Sequence, residues 1–267
     1  MKIGFIGLGN VGGKLAGSLL RNKFKLTVKD LDRYLPAIKT NDDMRFKSKL
    51  SEGVFLSDAI DGLNQLPDES IDLIITEPST RPRNKKRDKS SPTYQNYFDW
   101  VEAWVAESKR VLSSSGSIYI LCSWEHSSMY YSLLSKNFQV QSRITTERKN
   151  QDNDGSKSKW KNELCDIWFA TKTNDYIFNH NYIVGGKTLE DQKTEDQKNN
   201  LWFHLDYEEV ISRILKSSSF KLNWILDPFM KDGSVGLVSK KSGRRFIGFE
   251  SNQDKLLLGM KRINEGK

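Results

Sequence analysis

Cysteine is almost absent from this 267-residue sequence, which contains only Cys122 and Cys165. Both lie in segments that we predict to be buried strands, so a disulfide scaffold and a cysteine-rich zinc site are excluded. The histidines are as scarce, and His126, His180 and His204 have neither helical spacing nor a nearby cluster of acids. We therefore expect surface or helix-capping roles for them, no metal, and a reducing cytoplasmic location.

Long apolar runs are also missing. No stretch approaches about 18 consecutive apolar residues, the length of a membrane-spanning helix, so we expect no membrane partner. The first twenty residues contain short apolar runs that glycines and Lys14 interrupt, unlike the apolar region of a signal peptide. The formal net charge of +8 favours a polyanionic partner instead.

Strands and helices alternate from residue 54 onwards, which predicts an α/β fold with mostly parallel strands and some antiparallel additions. Three of the predicted parallel strands end on acids, namely Glu77, Asp227 and Glu250. Because ligands bind outside the carboxyl ends of the strands in an open parallel sheet, we expect these acids to face a binding site. Residues 34–53 carry scattered charge and little periodicity, and we assign them to a linker.

One segment has the pattern of a nucleotide cradle. "DPFMKDGSVG" follows a strand, contains a glycine turn and opens a helix, and "RRFIGFE" is a further strand that ends on Glu250. A glycine in such a turn lets a ligand approach backbone amides, and the acid can accept both ribose hydroxyls.

With these motifs in place, residues 54–263 resemble the amino-directed DNA methyltransferases, in the permuted subclass whose catalytic motif precedes the cofactor motif. "LIITEPST" stands where that family has Asp-Pro-Pro-Tyr, and "LDPFMKDGSVG" where it has Asp-Pro-Phe-x-Gly-x-Gly-Thr. The resemblance implies a Rossmann-like, doubly wound sheet of the S-adenosylmethionine-dependent type. It also implies DNA as the partner and methylation of adenine N6 or cytosine N4, an activity that belongs to restriction-modification.

The resemblance also implies roles for individual residues. Glu77, Pro78, Ser79 and Thr80 correspond to the catalytic motif, in which the acid and a backbone carbonyl hold the target amine. The residues that correspond to cofactor contacts are Asp227, Phe229, Gly233, Ser234 and Glu250, with Asp58 on the adenine side.

Both motifs depart from the family pattern. Glu77 replaces an aspartate, Ser79 replaces a proline, and Thr80 replaces an aromatic residue that stacks on a flipped base. Lys231 stands where the cofactor turn has its first glycine, so a side chain occupies a place where backbone approaches the ligand. These departures leave open a second interpretation, a non-catalytic DNA-binding protein.

A dense basic run follows the catalytic motif directly. Cations in this position could grip the phosphates that flank a flipped base, although charge runs are also common on solvated loops. The candidate DNA-binding residues are Arg81, Arg83, Lys85, Lys86, Arg87 and Lys89.

The first 33 residues carry a different motif. Gly7, Gly9 and Gly12 fit Gly-x-Gly-x-x-Gly between a predicted strand and helix, and Asp30 ends the next strand. This segment resembles the start of the 3-hydroxyisobutyrate dehydrogenase family, which implies a dinucleotide turn for NAD and a third interpretation, an NAD(P)-binding oxidoreductase-like protein. We therefore predict an extra βαβ unit over residues 1–33, a linker over 34–53 and a methyltransferase-like domain over 54–267.

Overall fold

A computed structural model describes residues 2–6, 25–30, 33–34, 39–40, 50–78, 94–147, 163–179 and 199–266. The described strands form two sheets, of which the smaller contains β1 (Lys2–Ile6), β2 (Lys25–Asp30) and β3 (Arg33–Tyr34). β1 and β2 are parallel, and β2 and β3 are antiparallel. The two strands predicted for the βαβ unit are therefore parallel neighbours, while residues 7–24 between them lie outside the described residues.

The larger sheet has nine described strands in the order β10-β8-β9-β7-β6-β11-β12-β5-β4. Six of its eight pairings are parallel, and only those of β9 with β7 and β8 are antiparallel, in agreement with the antiparallel additions that the sequence predicts. The strands are β4 (Lys39–Thr40), β5 (Gly53–Leu56), β6 (Ile71–Thr76), β7 (Leu112–Ser123), β8 (Gln139–Glu147), β9 (Leu164–Thr171), β10 (Leu201–Trp202), β11 (Trp224–Asp227) and β12 (Arg245–Glu250).

The stretch assigned to a linker, residues 34–53, contains regular structure. β4 lies within it and pairs in parallel with β5, at the edge of the larger sheet. Two residues of pairing leave almost no periodicity in a sequence, which is why the pattern analysis does not detect this strand.

Six helices pack on the two faces of the larger sheet within the described residues. Apolar residues of α1 to α3 share one hydrophobic cluster, and those of α4 to α6 share another. Side chains of β6 alternate between them, since Ile74 faces the first cluster and Leu73 and Ile75 face the second. The sheet is therefore doubly wound, with helices α1 (Ala59–Asn64), α2 (Tyr94–Val111), α3 (Trp124–Asn137), α4 (Tyr207–Ser218), α5 (Ser234–Lys241) and α6 (Gln253–Glu265).

Helix α2 covers the first face with the aromatic residues of its sequence. Trp104 is fully buried and Tyr97 nearly so, whereas Phe98 and Trp100 are partly buried against the same cluster. These four aromatic residues of α2 therefore pack against the core. None of the helices in the described part of the chain has the length and apolar character required to cross a bilayer.

Candidate active site at the carboxyl edge of the sheet

The three strand-end acids lie on adjacent parallel strands. β6, β11 and β12 are neighbours, and Glu77, Asp227 and Glu250 stand at their carboxyl ends, as the sequence predicts. The hydroxyl of Thr76 donates a hydrogen bond of 2.8 Å to Oδ1 of Asp227 and so joins the end of β6 to the end of β11. The edge therefore collects carboxylates from separate parts of the chain.

Asp227 is a buried carboxyl group with only 3% of its surface exposed. Burial disfavours the ionised form and raises the pKa of Asp227 to about 7, although hydrogen bonds from Thr76 and from the Phe229 amide, and the charge of Lys231, act in the opposite direction. A carboxyl group with this pKa changes charge close to neutral pH.

The turn that follows β11 is built around Gly233. This residue has φ of 78°, in the left-handed region that favours glycine, and it is the N-cap of α5. A Cβ atom there would stand 3.0 Å from Cα and O of Gly259 on α6. Asp232 accepts hydrogen bonds from the amide and hydroxyl of Ser234, and Arg262 on α6 forms an ion pair with Asp232. Two glycines thus allow the turn and α6 to pack closely.

A cavity of about 430 Å³ opens at this edge. Its wall includes four residues singled out in the sequence, Glu77, Asp227, Phe229 and Ser234, and Lys231, which the sequence flags as a departure from the family pattern. The other lining residues are Tyr207, Met230, Asp232, Val235, Lys255 and Leu258, and periodicity identifies these as helix or turn residues without indicating that they meet.

Phe229 is held in the cavity wall by tryptophans of α2. Its ring lies 5.3 Å from the ring of Trp100 and 5.3 Å from that of Trp104, both in edge-on arrangements. Such contacts fix the ring orientation, so Phe229 offers a rigid aromatic surface to the cavity.

Lys231 forms an ion pair with Glu77. Nζ of Lys231 lies 3.2 Å from Oε1 of Glu77, and the two side chains are 38% and 19% exposed. Lys231 has φ of 49°, which places a residue with a Cβ in the left-handed region. The turn after β11 is therefore joined to the end of β6 by an ion pair that the sequence does not indicate.

Asp58 and Glu250 lie at the neighbouring strand ends, outside the lining of this cavity. Glu250 pairs in register with Leu56, and its carbonyl accepts a hydrogen bond of 3.1 Å from the Ser57 amide. Asp58 is the N-cap of α1 and accepts a hydrogen bond from the Ile60 amide. Both carboxylates are thus on the same edge as Asp227, one and two strands away.

A second, much smaller cavity of about 10 Å³ is also lined by Glu77. Glu77 and Pro78 line it together with His126, whose Nδ1 is 3.1 Å from Oγ of Ser123. The ring of Tyr97 lies 5.4 Å from that of His126. His126 lies in the first turn of α3, next to the N-cap Ser123, which agrees with a capping role, and it also stands beside Glu77 and Pro78. His204 is exposed, and its Nδ1 lies 3.7 Å from Oε2 of Glu147.

Several residues predicted for function lie outside the described residues. They comprise the second half of the catalytic motif, the basic run and the glycines of the dinucleotide turn: Ser79, Thr80, Arg81, Arg83, Lys85, Lys86, Arg87, Lys89, Gly7, Gly9 and Gly12. Asp30 ends β2 and pairs in register with Arg33. Among the residues that the structure describes, no three His, Cys, Asp or Glu side chains are grouped as metal ligands.

The amino-acid sequence is similar to known DNA methyltransferases. A family model described as DNA methylase matches residues 71–260, more than half of the chain. The sequence is 25% identical to the type II methyltransferase M.HinfI of Haemophilus influenzae, over 80% of this chain and 68% of that protein. It is 27% identical to the DNA adenine methyltransferase YhdJ of Escherichia coli K12, over 78% of this chain and 81% of that protein.

A solved structure shares the fold. The putative DNA modification methylase of Thermus thermophilus, complexed with S-adenosyl-L-methionine, superposes with a TM-score of 0.64 at 18% identity. The superposition covers 81% of this chain and 96% of that chain.

Proposed function

The chain belongs to the DNA methylase family, and from that membership we propose that it transfers the methyl group of S-adenosylmethionine to the exocyclic amine of adenine or cytosine in DNA. The observation that carries the proposal is the position of Glu77. It lines the large cavity together with Asp227 and Phe229, and it also lines the small cavity together with Pro78 and His126. Glu77 can therefore face a donor in the large cavity, and its carboxylate can accept hydrogen bonds from an acceptor amine.

The large cavity has the size and chemistry to hold the methionine end of S-adenosylmethionine. Its volume of about 430 Å³ lies within the range of small-molecule sites. The buried carboxyl of Asp227 supplies a partner for an ammonium group, and Phe229 supplies an aromatic surface. We assign Asp227, Phe229, Gly233 and Ser234 to the methionine end of the cofactor, and Glu250 and Asp58 to its ribose and adenine.

The chemistry explains why an acid is needed at Glu77. The lone pair of an exocyclic amine is delocalised into the base, which makes the nitrogen a weak nucleophile. When Glu77 and a backbone carbonyl beside Pro78 accept its N–H bonds, the nitrogen becomes more tetrahedral and the lone pair becomes available. S-adenosylmethionine would supply an electrophilic methyl group: the N–C bond forms as the C–S bond breaks, and the sulfur leaves as a neutral thioether. The methylated nitrogen then releases one proton, which the carboxylate of Glu77 can accept.

The positive charge of the chain supports DNA as the substrate. The net charge of +8 attracts a polyanion, and the basic run after the catalytic motif would hold the phosphates beside the extruded base. YhdJ, named as an adenine methyltransferase, is a relative of this chain, and we propose adenine N6 as the first target to test. Cys122 and Cys165 are free thiols, which agrees with a proposed cytoplasmic location.

One observation favours the alternative of a DNA-binding protein without catalysis. Nζ of Lys231 lies 3.2 Å from Oε1 of Glu77, so Lys231 competes with the amine for this carboxylate. Turnover decides between the two, because the catalytic proposal requires the amine to bind the Glu77 carboxylate while Lys231 stays beside it.

Glu77 variants test the proposed function. We expect Glu77→Gln to lower the incorporation of labelled methyl groups into DNA at least a hundredfold, because an amide cannot carry the charge that draws the amine protons. Affinity for S-adenosylhomocysteine, measured by calorimetry, should stay within about threefold, since this ligand lacks the reacting methyl group. Loss of both properties together would show that Glu77 holds the cofactor rather than the amine, and full activity of the variant would remove Glu77 from the mechanism.

A further inference from the structure

We propose that Lys231 makes the cavity discriminate by charge, so that it favours the neutral thioether S-adenosylhomocysteine over the cationic sulfonium S-adenosylmethionine. The inference rests on the proposed function and deepens it. Lys231 is then a specificity residue that sets how tightly the product is retained relative to the donor.

The backbone holds Lys231 in the cavity. Its left-handed φ of 49° lies within a short turn in which the Met230 amide donates to the Phe249 carbonyl and the Gly233 amide donates to the Met230 carbonyl. These bonds anchor the turn to β12 on one side of Lys231 and to the start of α5 on the other. The side chain therefore projects from a fixed base into the space between the turn and the end of β6.

The charges that face this space are few. The cavity lining contains three carboxyl groups, on Glu77, Asp227 and Asp232, and two ammonium groups, on Lys231 and Lys255. Asp232 is engaged with Arg262 and with the start of α5. Burial raises the pKa of Asp227, so that this group is only partly ionised near neutral pH. Glu77 is thus the main negative charge beside Lys231, and the ion pair already uses it.

Methyl transfer brings a second cation to the same place. The amine nitrogen and the methyl carbon must approach to about 3–3.5 Å before reaction. If Glu77 holds the amine, the sulfonium must lie close to Glu77, and therefore close to the ammonium that stands 3.2 Å from that carboxylate. The sulfonium and the ammonium of Lys231 are both positively charged, and like charges that lie close together in a partly buried site repel each other. The thioether carries no charge and does not meet this repulsion.

The expected effect is a change in a ratio of affinities. For the unmodified protein, calorimetry with each ligand gives one dissociation constant for S-adenosylmethionine and one for S-adenosylhomocysteine. We expect Lys231→Met, which keeps an unbranched side chain of similar length and removes the charge, to shift the ratio about tenfold or more in favour of S-adenosylmethionine. Lys231→Arg keeps the charge and should leave the ratio within about threefold.

A matched control separates the ion pair from the total charge of the cavity. Lys255 lines the same cavity from α6, and Lys255→Met removes an equal charge. We expect this variant to leave the ratio within about threefold. An equal shift in both methionine variants would overturn the assignment to Lys231, and so would an unchanged ratio in Lys231→Met.

Different results would overturn the inference about Lys231 and the proposed methyl transfer. Saturable binding of both ligands with a ratio that ignores residue 231 would overturn the inference and leave methyl transfer standing. The absence of binding by either ligand to a folded protein would overturn both. A shift confined to Lys231→Met is the result that supports the inference.

Discussion

Asp227 is a carboxyl group that the fold removes almost completely from water. Its pKa of about 7 in the folded protein lies above the reference value of 3.8, so the folded state binds the proton more tightly than the unfolded state. The sign follows from linkage: the free energy of unfolding falls as pH rises from about 4 to 7, and the full penalty is present above pH 7. A buried acid of this kind is more easily explained by a ligand that it meets than by stability.

Replacing this carboxyl group with an amide tests the linkage. Asp227→Asn keeps an oxygen that accepts from Thr76 and from the Phe229 amide. We expect the variant to gain roughly 2–4 kcal/mol in free energy of unfolding at pH 8 and close to nothing at pH 4. Urea unfolding of the ligand-free protein at both values measures the difference.

The control for this experiment is an exposed acid on the same edge of the sheet. Asp58→Asn retains the N-cap of α1, because asparagine caps helices as well as aspartate does. Its unfolding free energy should change by less than about 0.5 kcal/mol at either pH. If Asp227→Asn gained the same free energy of unfolding at pH 4 and at pH 8, the claim that the ionised form of Asp227 destabilises the folded protein would be wrong.

Single residues show how far the sequence predicts the site. Glu77 and Asp227 are predictable because both stand at the ends of strands that have recognisable apolar runs, and the carboxyl ends of parallel strands share one edge. The contact between Lys231 and Glu77 is not predictable, since it depends on the conformation of a turn and on side chains far apart in sequence. The position of His126 beside Glu77 is not predicted for the same reason, because no local pattern indicates that the end of β7 lies next to the end of β6.

Among the elements, the turn between β11 and α5 depends most on glycine. Gly233→Ala would place a Cβ on a residue with φ of 78° and bring it to 3.0 Å from the backbone of Gly259. We expect a loss of more than about 2 kcal/mol in free energy of unfolding, from backbone strain and the contact with α6. Affinity for S-adenosylhomocysteine should fall at least tenfold, because the cavity wall moves. Urea unfolding and calorimetry measure the two effects.

Gly243 supplies a matched control, because it has nearly the same φ in open surroundings. Its φ is 75°, and the nearest atom to an added Cβ is Cγ of the Lys221 side chain at 3.7 Å. Gly243→Ala should therefore show the strain alone, about 1–2 kcal/mol, and leave ligand affinity unchanged. Equal losses of stability and affinity in both variants would show that the contact with α6 has no role.

Elements with long periodic patterns are predicted well, and short ones are not. Helix α2 and strands β6, β11 and β12 have apolar runs that match the helical or strand period over their length. β4 has only two residues and pairs at the sheet edge, so it appears in the sequence as part of a linker. The order of strands does not follow from local pattern, because pairings such as β6 with β11 join distant parts of the chain.

At the scale of the whole molecule, the excess of positive charge predicts how the protein meets DNA. Affinity for a duplex should fall steeply with salt, because each phosphate contact releases counterions. Replacing Arg83, Lys85 and Lys86 with glutamine should reduce the slope of log K against log salt by about 2–3. Fluorescence anisotropy with a labelled duplex at several salt concentrations gives this slope.

A second triple variant controls for net charge. Lys136, Lys241 and Lys261 are at least half exposed on α3, α5 and α6, and their replacement with glutamine removes the same three charges. This variant should change the slope by less than about 1. Equal slopes for the two triple variants would show that the basic run makes no phosphate contacts and acts only through the total charge.

The most direct test of the account is the chemical identity of the product. Plasmid DNA that lacks methylated bases is incubated with the protein and S-adenosylmethionine, digested to nucleosides and examined by mass spectrometry. The account predicts N6-methyldeoxyadenosine or N4-methyldeoxycytidine with the unmodified protein and neither with Glu77→Gln. The absence of both products, from a protein preparation that binds S-adenosylhomocysteine in the calorimeter, would contradict it.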